Sequence, residues 1–317
     1  MQANDAREQC EREPSLSCNG VSKIEELPAQ ARADRASLPA VSSEEITRIV
    51  ARSRSTWRVY FREMVRYGDL FFFLVLRDIR VRYSQTVLGF GWSVLQPLLQ
   101  MVVFSVFFGA LAGISSGDVP YPVFSIAAVV PWTYFNNAVT AGASSLITNA
   151  QLVSKVYFPR LFIPLSSAAA GLVDHAIALV LLGCVMAVYG VVPPFPEVLF
   201  LPVLIALLVV TTSAISIWLS ALGGRYRDVR YITPFVLQLL LFITPVIYVV
   251  STIPARLRPL YALNPLVGIV SGFRAVLLDA GSIPWGTLAV STAATVCMLV
   301  GSLWYFRRVE RALADIA

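Results

Sequence analysis

Ionisable side chains are scarce in this chain. Of 317 residues only 14% are Asp, Glu, Lys or Arg, and there is one histidine, His175. Four cysteines, Cys10, Cys18, Cys184 and Cys297, stand far apart with no Cys-x-x-Cys spacing. Zinc and iron–sulfur sites need clustered ligands, so metal and thiol chemistry are poor organising functions here, and no cofactor is implied. Only two lysines occur, Lys23 and Lys155, and neither follows the glycine-rich loop that cradles nucleotide phosphates. The chain is therefore not expected to hydrolyse ATP, and any driven work draws its energy from another subunit. A secretory signal is also missing: residues 1–40 hold no basic start followed by an apolar run.

Apolar residues fill the space that charge leaves. They make up 57% of the chain, with a mean hydropathy of +0.70, which lies outside the soluble range and marks a membrane protein. The exception is residues 1–56, where nine acidic and eight basic residues are mixed with Ala, Ser and Pro. No core can form from that mixture, and a disordered cytoplasmic tail is predicted.

Residues 57–86 are predicted to form amphipathic cytoplasmic interface helices. Trp57, Tyr60, Phe61, Met64 and Val65 recur at helical spacing, while Arg58, Arg62 and Arg66 recur every four residues beside them. After Gly68-Asp69, an apolar run over 70–76 leads to Arg77, Asp78, Arg80 and Arg82. That run is too short to cross a bilayer, which needs about 20 residues, so the second helix is expected in the interface. An ordinary juxtamembrane helix with positive flanks would carry the same composition.

Six segments are long and apolar enough to span: 87–114, 123–147, 163–192, 198–222, 232–250 and 285–306. They predict an all-α, six-span transmembrane domain over 87–306, followed by a cytoplasmic C-terminus, 307–317. The apolar stretch within 259–283 is short and interrupted by Arg274, with Pro259 and Pro265 at its start and Pro284 just beyond its end. It is expected to dip into the membrane or lie on it. Basic residues near span ends number eleven on the tail side and three on the other, which predicts that both termini are cytoplasmic. Trp285 and Trp304 are about 28 Å apart along a helix, close to the ~30 Å hydrocarbon core, and suit interfacial anchors.

Several stretches in series then carry a resemblance. Leu76-Arg77-Asp78-Ile79-Arg80-Val81-Arg82-Tyr83-Ser84-Gln85-Thr86-Val87-Leu88-Gly89 leads into Trp92-Ser93-Val94-Leu95-Gln96-Pro97-Leu98. Further along come Lys155-Val156-Tyr157-Phe158-Pro159-Arg160, Arg227-Asp228-Val229-Arg230, Pro245-Val246-Ile247-Tyr248 and Asn264-Pro265. This series resembles the permease subunits of type-2 ABC exporters, in the branch that exports O-antigen, capsular polysaccharide or teichoic acid. The resemblance covers roughly Tyr67 to the C-terminus. It implies a homodimer of this chain paired with two copies of an ATP-binding subunit, moving a lipid-linked polysaccharide across the cell inner membrane. It also implies two short re-entrant helices between spans five and six, and no role with nucleic acid.

An ATPase below the membrane acts through cytoplasmic surfaces. Lys155 and Arg160 flank apolar Val156, Tyr157 and Phe158, a short element that can press an aromatic into a partner groove while its charges set register. A positive-inside loop with aromatic anchors has the same composition. The resemblance, in which this loop meets the ATPase, favours coupling through Lys155, Tyr157, Phe158, Pro159 and Arg160.

A substrate path is sought among polar and aromatic residues inside spans. Gln96, Gln100, Phe104 and Phe107 share one face of span one, and span two offers Trp132, Tyr134 and Phe135 beside Asn136 and Asn137. Amides exchange hydrogen bonds with hydroxyls, and rings cover the C–H face of a sugar. Helix–helix packing is the competing use of the same residues. Asp174-His175 is the ionisable pair deep in a span, open to a proton relay or to a structural hydrogen bond. Arg256, Arg258 and Arg274 are candidates for a lipid diphosphate head. Two other functions stay open: a drug or lipid exporter of the same superfamily, and a proton-coupled secondary transporter built on Asp174 and His175.

Overall fold

The computed structural model describes residues 57–84, 89–117, 119–155, 158–254, 256–278 and 283–314. The tail expected over 1–56 and Tyr157 of the coupling loop lie outside the described residues. Every regular element among the described residues is helical. They are α1 (Trp57–Arg66), α2 (Gly68–Tyr83), α3 (Gly91–Phe104), α4 (Tyr121–Thr148), α5 (Ala150–Lys155), α6 (Phe162–Val188), α7 (Leu201–Arg225), α8 (Val229–Ile243), α9 (Arg258–Tyr261), α10 (Pro265–Leu278) and α11 (Trp285–Ala314). Four stretches among the described residues are long and apolar enough to cross a membrane: Gly91–Leu111, Phe162–Val188, Glu197–Arg225 and Trp285–Glu310. Val229–Ile243 and Pro265–Leu278 are shorter apolar helices.

The hub is α4, which packs against α3, α6, α7, α8 and α10. Its residues 123–135 are buried on every side, which explains why it is long yet not amphipathic. Small residues let α7 approach it closely. A Cβ at Gly142 would lie 2.6 Å from the Ser216 Cβ, and the hydroxyls of Ser145 and Ser220 sit 3.2 Å apart. Such close approach, with hydroxyls bonding across it, is how apolar helices associate where water supplies no driving force.

Helix ends follow local chemistry, and three depart from the sequence expectation. The third span stops at Val188 rather than 192: Gly190 adopts φ 68°, with Gly190 N–H donating to Ala187 O and Val191 N–H to Met186 O, a Schellman cap. The fifth ends at Ile243 rather than 250. Thr244, preceding Pro245, is pushed to an extended ψ of 142°, and Pro245 has no N–H to continue the ladder. The sixth runs on to Ala314. Two short helices, α9 and α10, stand between α8 and α11.

The break after α8 leaves carbonyls without helical partners, and Arg274 of α10 takes them. Its guanidinium donates to the carbonyls of Pro245 (2.6 Å), Val246 (2.7 Å), Tyr248 (3.0 Å) and Phe124 (3.3 Å). The Phe124 ring lies 3.6 Å from its Cζ. Buried at 6% exposure, Arg274 is closed off from any phosphate, which corrects the head-group expectation for this residue. The Arg258 Nε donates to Ile253 O, while Arg256 is exposed.

Contacts of α2 also differ from those of a helix lying apart on a surface. Phe71 meets Phe162 (ring centroids 5.4 Å), Leu74 is buried with Phe158 and Ile163, Asp78 accepts from Ser166 (2.9 Å), and Arg82 pairs with Asp174. The contacts advance in step, so α2 runs beside the first half of α6 in the same direction over about 18 Å.

Candidate functional site

That alignment carries the C-terminal end of α2 to a cleft of about 710 Å³ between α3, α4, α6 and α8. Around its rim Asp174 accepts hydrogen bonds from Arg82, Tyr83 and Ser93, joining α6 to α2 and α3. Three donors leave this carboxylate anchored, and the Arg82 charge offsets its own. Tyr83 stacks on Phe90 at 4.1 Å, and burial together with the Asp174 carboxylate holds its phenol above the ordinary range, so it remains a donor. The wall opposite is neutral and polar: Asn137 donates to Gln96 (3.3 Å), Asn136 to Asn137 (3.3 Å), and Thr133 to Gln100 (3.4 Å). These bonds are long, so the amides retain capacity for other partners. Trp132, Thr140, Ser144 and Gln238 complete the polar and aromatic lining.

Of the expected path residues, Gln96, Gln100, Trp132 and Tyr134 come together here. Tyr134 presents its ring, while its hydroxyl donates to Ala168 O (3.1 Å). Phe104, Phe107 and Phe135 do not line the cleft. Phe135 is wholly buried, Phe104 packs edge-on against Phe108 at 5.7 Å, and Phe107 is exposed elsewhere. For Phe107 the cause is local: after Phe104 the helix widens into a π-helical stretch, Ser105–Leu111. Its i→i+5 bonding turns each residue through less than the α-helical 100°, so Phe107 rotates off the stripe that α-spacing predicts.

The remaining expected residues divide in the same way. Arg77 pairs with Asp78 (2.8 Å), Arg80 is exposed, and Arg82 faces the cleft. Lys155, the last residue of α5, is exposed, while in the loop that follows Phe158 and Pro159 are buried, Phe158 inside the cluster of Leu74, Phe162 and Ile163. Phe158 thus packs within its own chain and is not offered outward. The Glu310 carboxylate lies near the Arg160 backbone N–H and near the Arg160 and Arg307 charges. Sequence reasoning missed Tyr83, Ser93 and Gln238. Ser93 and Tyr83 carry no signal of their own; their role follows only once Arg82 and Asp174 are paired.

Comparison with known proteins adds the family. The family model described as ABC-2 type transporter matches residues 69–278, which include α2, the cleft, α4 and α10. The chain belongs to the ABC-2 type transporter family. Relatives of this ABC-2 transporter chain include the O-antigen export system permease protein RfbA of Myxococcus xanthus, 31% identical over 79% of this chain and 97% of the relative. A protein of the same name from Klebsiella pneumoniae is 27% identical over 78% and 95%. The polysialic acid transport protein KpsM of Escherichia coli is 23% identical over 76% and 94%. The ABC-2 match ends at Leu278, so α11 stands beyond it, as does the tail before residue 69.

Proposed function

We propose that this chain is the permease subunit of an ATP-driven exporter that carries a lipid-linked polysaccharide, of O-antigen, capsule or teichoic acid type, across the inner membrane. The observation that carries this reading is the cleft itself: a neutral, amide- and aromatic-lined space among apolar helices, in a chain related along nearly their whole length to proteins named as polysaccharide export permeases. Amides and ring faces suit hydroxyl-rich sugars, and lipid alone would give a span no reason to carry them.

The subunit works as a homodimer with two copies of a separate ATP-binding subunit, which hydrolyses ATP. Broad apolar faces on α3, its π-helical continuation and α8, including Leu99, Phe107, Phe235 and Phe242, need lipid or a second copy to cover them. Six crossings follow if α4, 28 residues and about 42 Å long, and α8 with its extended continuation past Pro245 are added to the four apolar spans. Both termini are then cytoplasmic, α1 and α2 lie on the side of the ATPase, and α9 with α10 re-enters from the other side. Lys155 and the loop to Arg160 transmit the ATPase stroke. The proton-coupled alternative loses its relay, because the Asp174 oxygens are held by three donors.

Deletion of the chain should abolish surface polysaccharide, and affinity purification from native membrane should bring down an ATP-binding subunit. Undiminished polysaccharide after deletion, or transport that persists without nucleotide and collapses with the proton gradient, overturns the reading.

A further inference from the structure

His175 is 2% exposed, lines the cleft, and neither of its ring nitrogens has a hydrogen-bond partner among the described residues. The Val130 carbonyl lies near the ring without meeting hydrogen-bond geometry. Even if that contact is counted, the other nitrogen is left with nothing. A buried imidazole has one donor and one acceptor to satisfy, and leaving either bare costs about 1–3 kcal/mol. The ring itself is well held: Tyr134 packs on one side at 5.1 Å and Phe273 on another at 6.3 Å. Both nitrogens are shut from water in this structure, so a ring held this firmly beside the cavity gains its partners only when a ligand widens the cleft next to it.

The chemistry of the cleft says what. Its one carboxylate, Asp174, is already bound to Arg82, so the pair presents little net charge to a ligand. Gln96, Gln100 and Asn137 line the same cleft, their amides joined only by long bonds. A ligand that both donates and accepts and carries no charge of its own fits these groups; a vicinal pair of sugar hydroxyls does so.

We propose that His175 is a hydroxyl-reading contact for a neutral sugar ring of the exported chain, with the amides of Gln100 and Asn137 lining the same cleft. This rests on the polysaccharide-export reading and adds a specificity-determining residue to it. Among the described residues that line the cleft, an anionic sugar finds no cation but Arg82, whose charge is matched by Asp174.

The test is complementation of the deletion strain, with surface polysaccharide as the readout and membrane level and ATPase-subunit capture measured beside it. His175→Phe keeps a ring between Tyr134 and Phe273 but removes both nitrogens. Export should fall at least fivefold at an unchanged membrane level. His175→Gln restores an amide donor and acceptor and should recover at least half of parental export. Parental export by His175→Phe, or equal loss in both variants, overturns the proposal. If His175→Phe fails to insert, Ala141→Cys, lining the same cleft, decides the matter. In the purified complex, lipid-linked polysaccharide extracted from the same cells should protect its thiol from maleimide; lack of protection overturns the proposal. Loss of polysaccharide on whole-chain deletion, together with parental export by His175→Phe, would sink the subsite alone. Polysaccharide that survives whole-chain deletion would sink the export reading.

Discussion

Arg82 and Asp174, separated by 92 positions in the chain, form an ion pair that binds the end of α2 to the middle of α6. Asp174 also accepts from Tyr83 and Ser93, so one carboxylate joins three helices. Both partners are more than two-thirds buried. Removing either one strands the other in a poorly solvated place.

The first prediction concerns that pair. Arg82→Ala and Asp174→Asn should each lower stability in detergent by about 1–3 kcal/mol, with Asp174→Asn the costlier because it disturbs three donors. The double variant should cost less than the sum of the two by at least about 0.5 kcal/mol. Strict additivity in a thermal double-mutant cycle would show that the pair contributes nothing as a pair.

Arg274 gives a second prediction. It spends its N–H groups on three carbonyls just past the point where Pro245 ends α8, those of Pro245, Val246 and Tyr248, and on the Phe124 carbonyl of α4. Arg274→Met leaves those carbonyls buried and bare and should cost about 3–5 kcal/mol. Arg274→Lys keeps the charge but lacks the planar fork, and should recover less than half of the loss. Tryptophan-fluorescence melting of the purified complex checks both; a Met variant that melts with the parent refutes the staple.

These two arginines mark how far the sequence could be read. The apolar runs announced the helices because burying backbone in lipid leaves no alternative to helical pairing, and the short run over 266–278 forms a helix of only 14 residues. Pro245 was visible too, but whether a proline kinks a helix or ends it depends on what receives the freed carbonyls. That receiver, Arg274, comes from 29 positions downstream. In the site, Gln96 and Gln100 were legible from their four-residue spacing. Phe107 was not, because a π-helical stretch changes the angle per residue without any motif to announce it. Asp174 stood out as a buried charge, yet its partner had to be one of several arginines, and only the lengthwise packing of α2 selects Arg82.

Packing between α4 and α7 supports a third prediction. A Cβ at Gly142 would sit 2.6 Å from the Ser216 Cβ and 3.3 Å from its Cα, too close without a helix shift. Gly142→Ala should therefore cost about 1–3 kcal/mol, and adding Ser216→Gly should return part of it by clearing the space. Gly301→Ala, with nothing within 4 Å, serves as the control and should be neutral or slightly stabilising. Equal effects at Gly142 and Gly301 in melting experiments would remove the close-approach argument.

The loop after α5 separates two roles that composition alone merges. Phe158 is 5% exposed and packs with Leu74, Phe162 and Ile163, whereas Lys155 is exposed. Phe158→Ala should cost about 3–5 kcal/mol and lower the melting temperature of the permease itself, with any loss of ATPase capture following from that. Lys155→Glu should leave melting within about 0.5 kcal/mol, as surface changes do. Reversing its charge should nonetheless weaken capture of the ATP-binding subunit in pull-down, more at low salt than at high, because screening shortens the reach of an exposed charge. Parental capture by Lys155→Glu at low salt would take that residue out of the contact. A Phe158→Ala variant that melts normally yet loses the ATPase would put the aromatic at the subunit interface, and would mean that the loop opens outward when the partner binds.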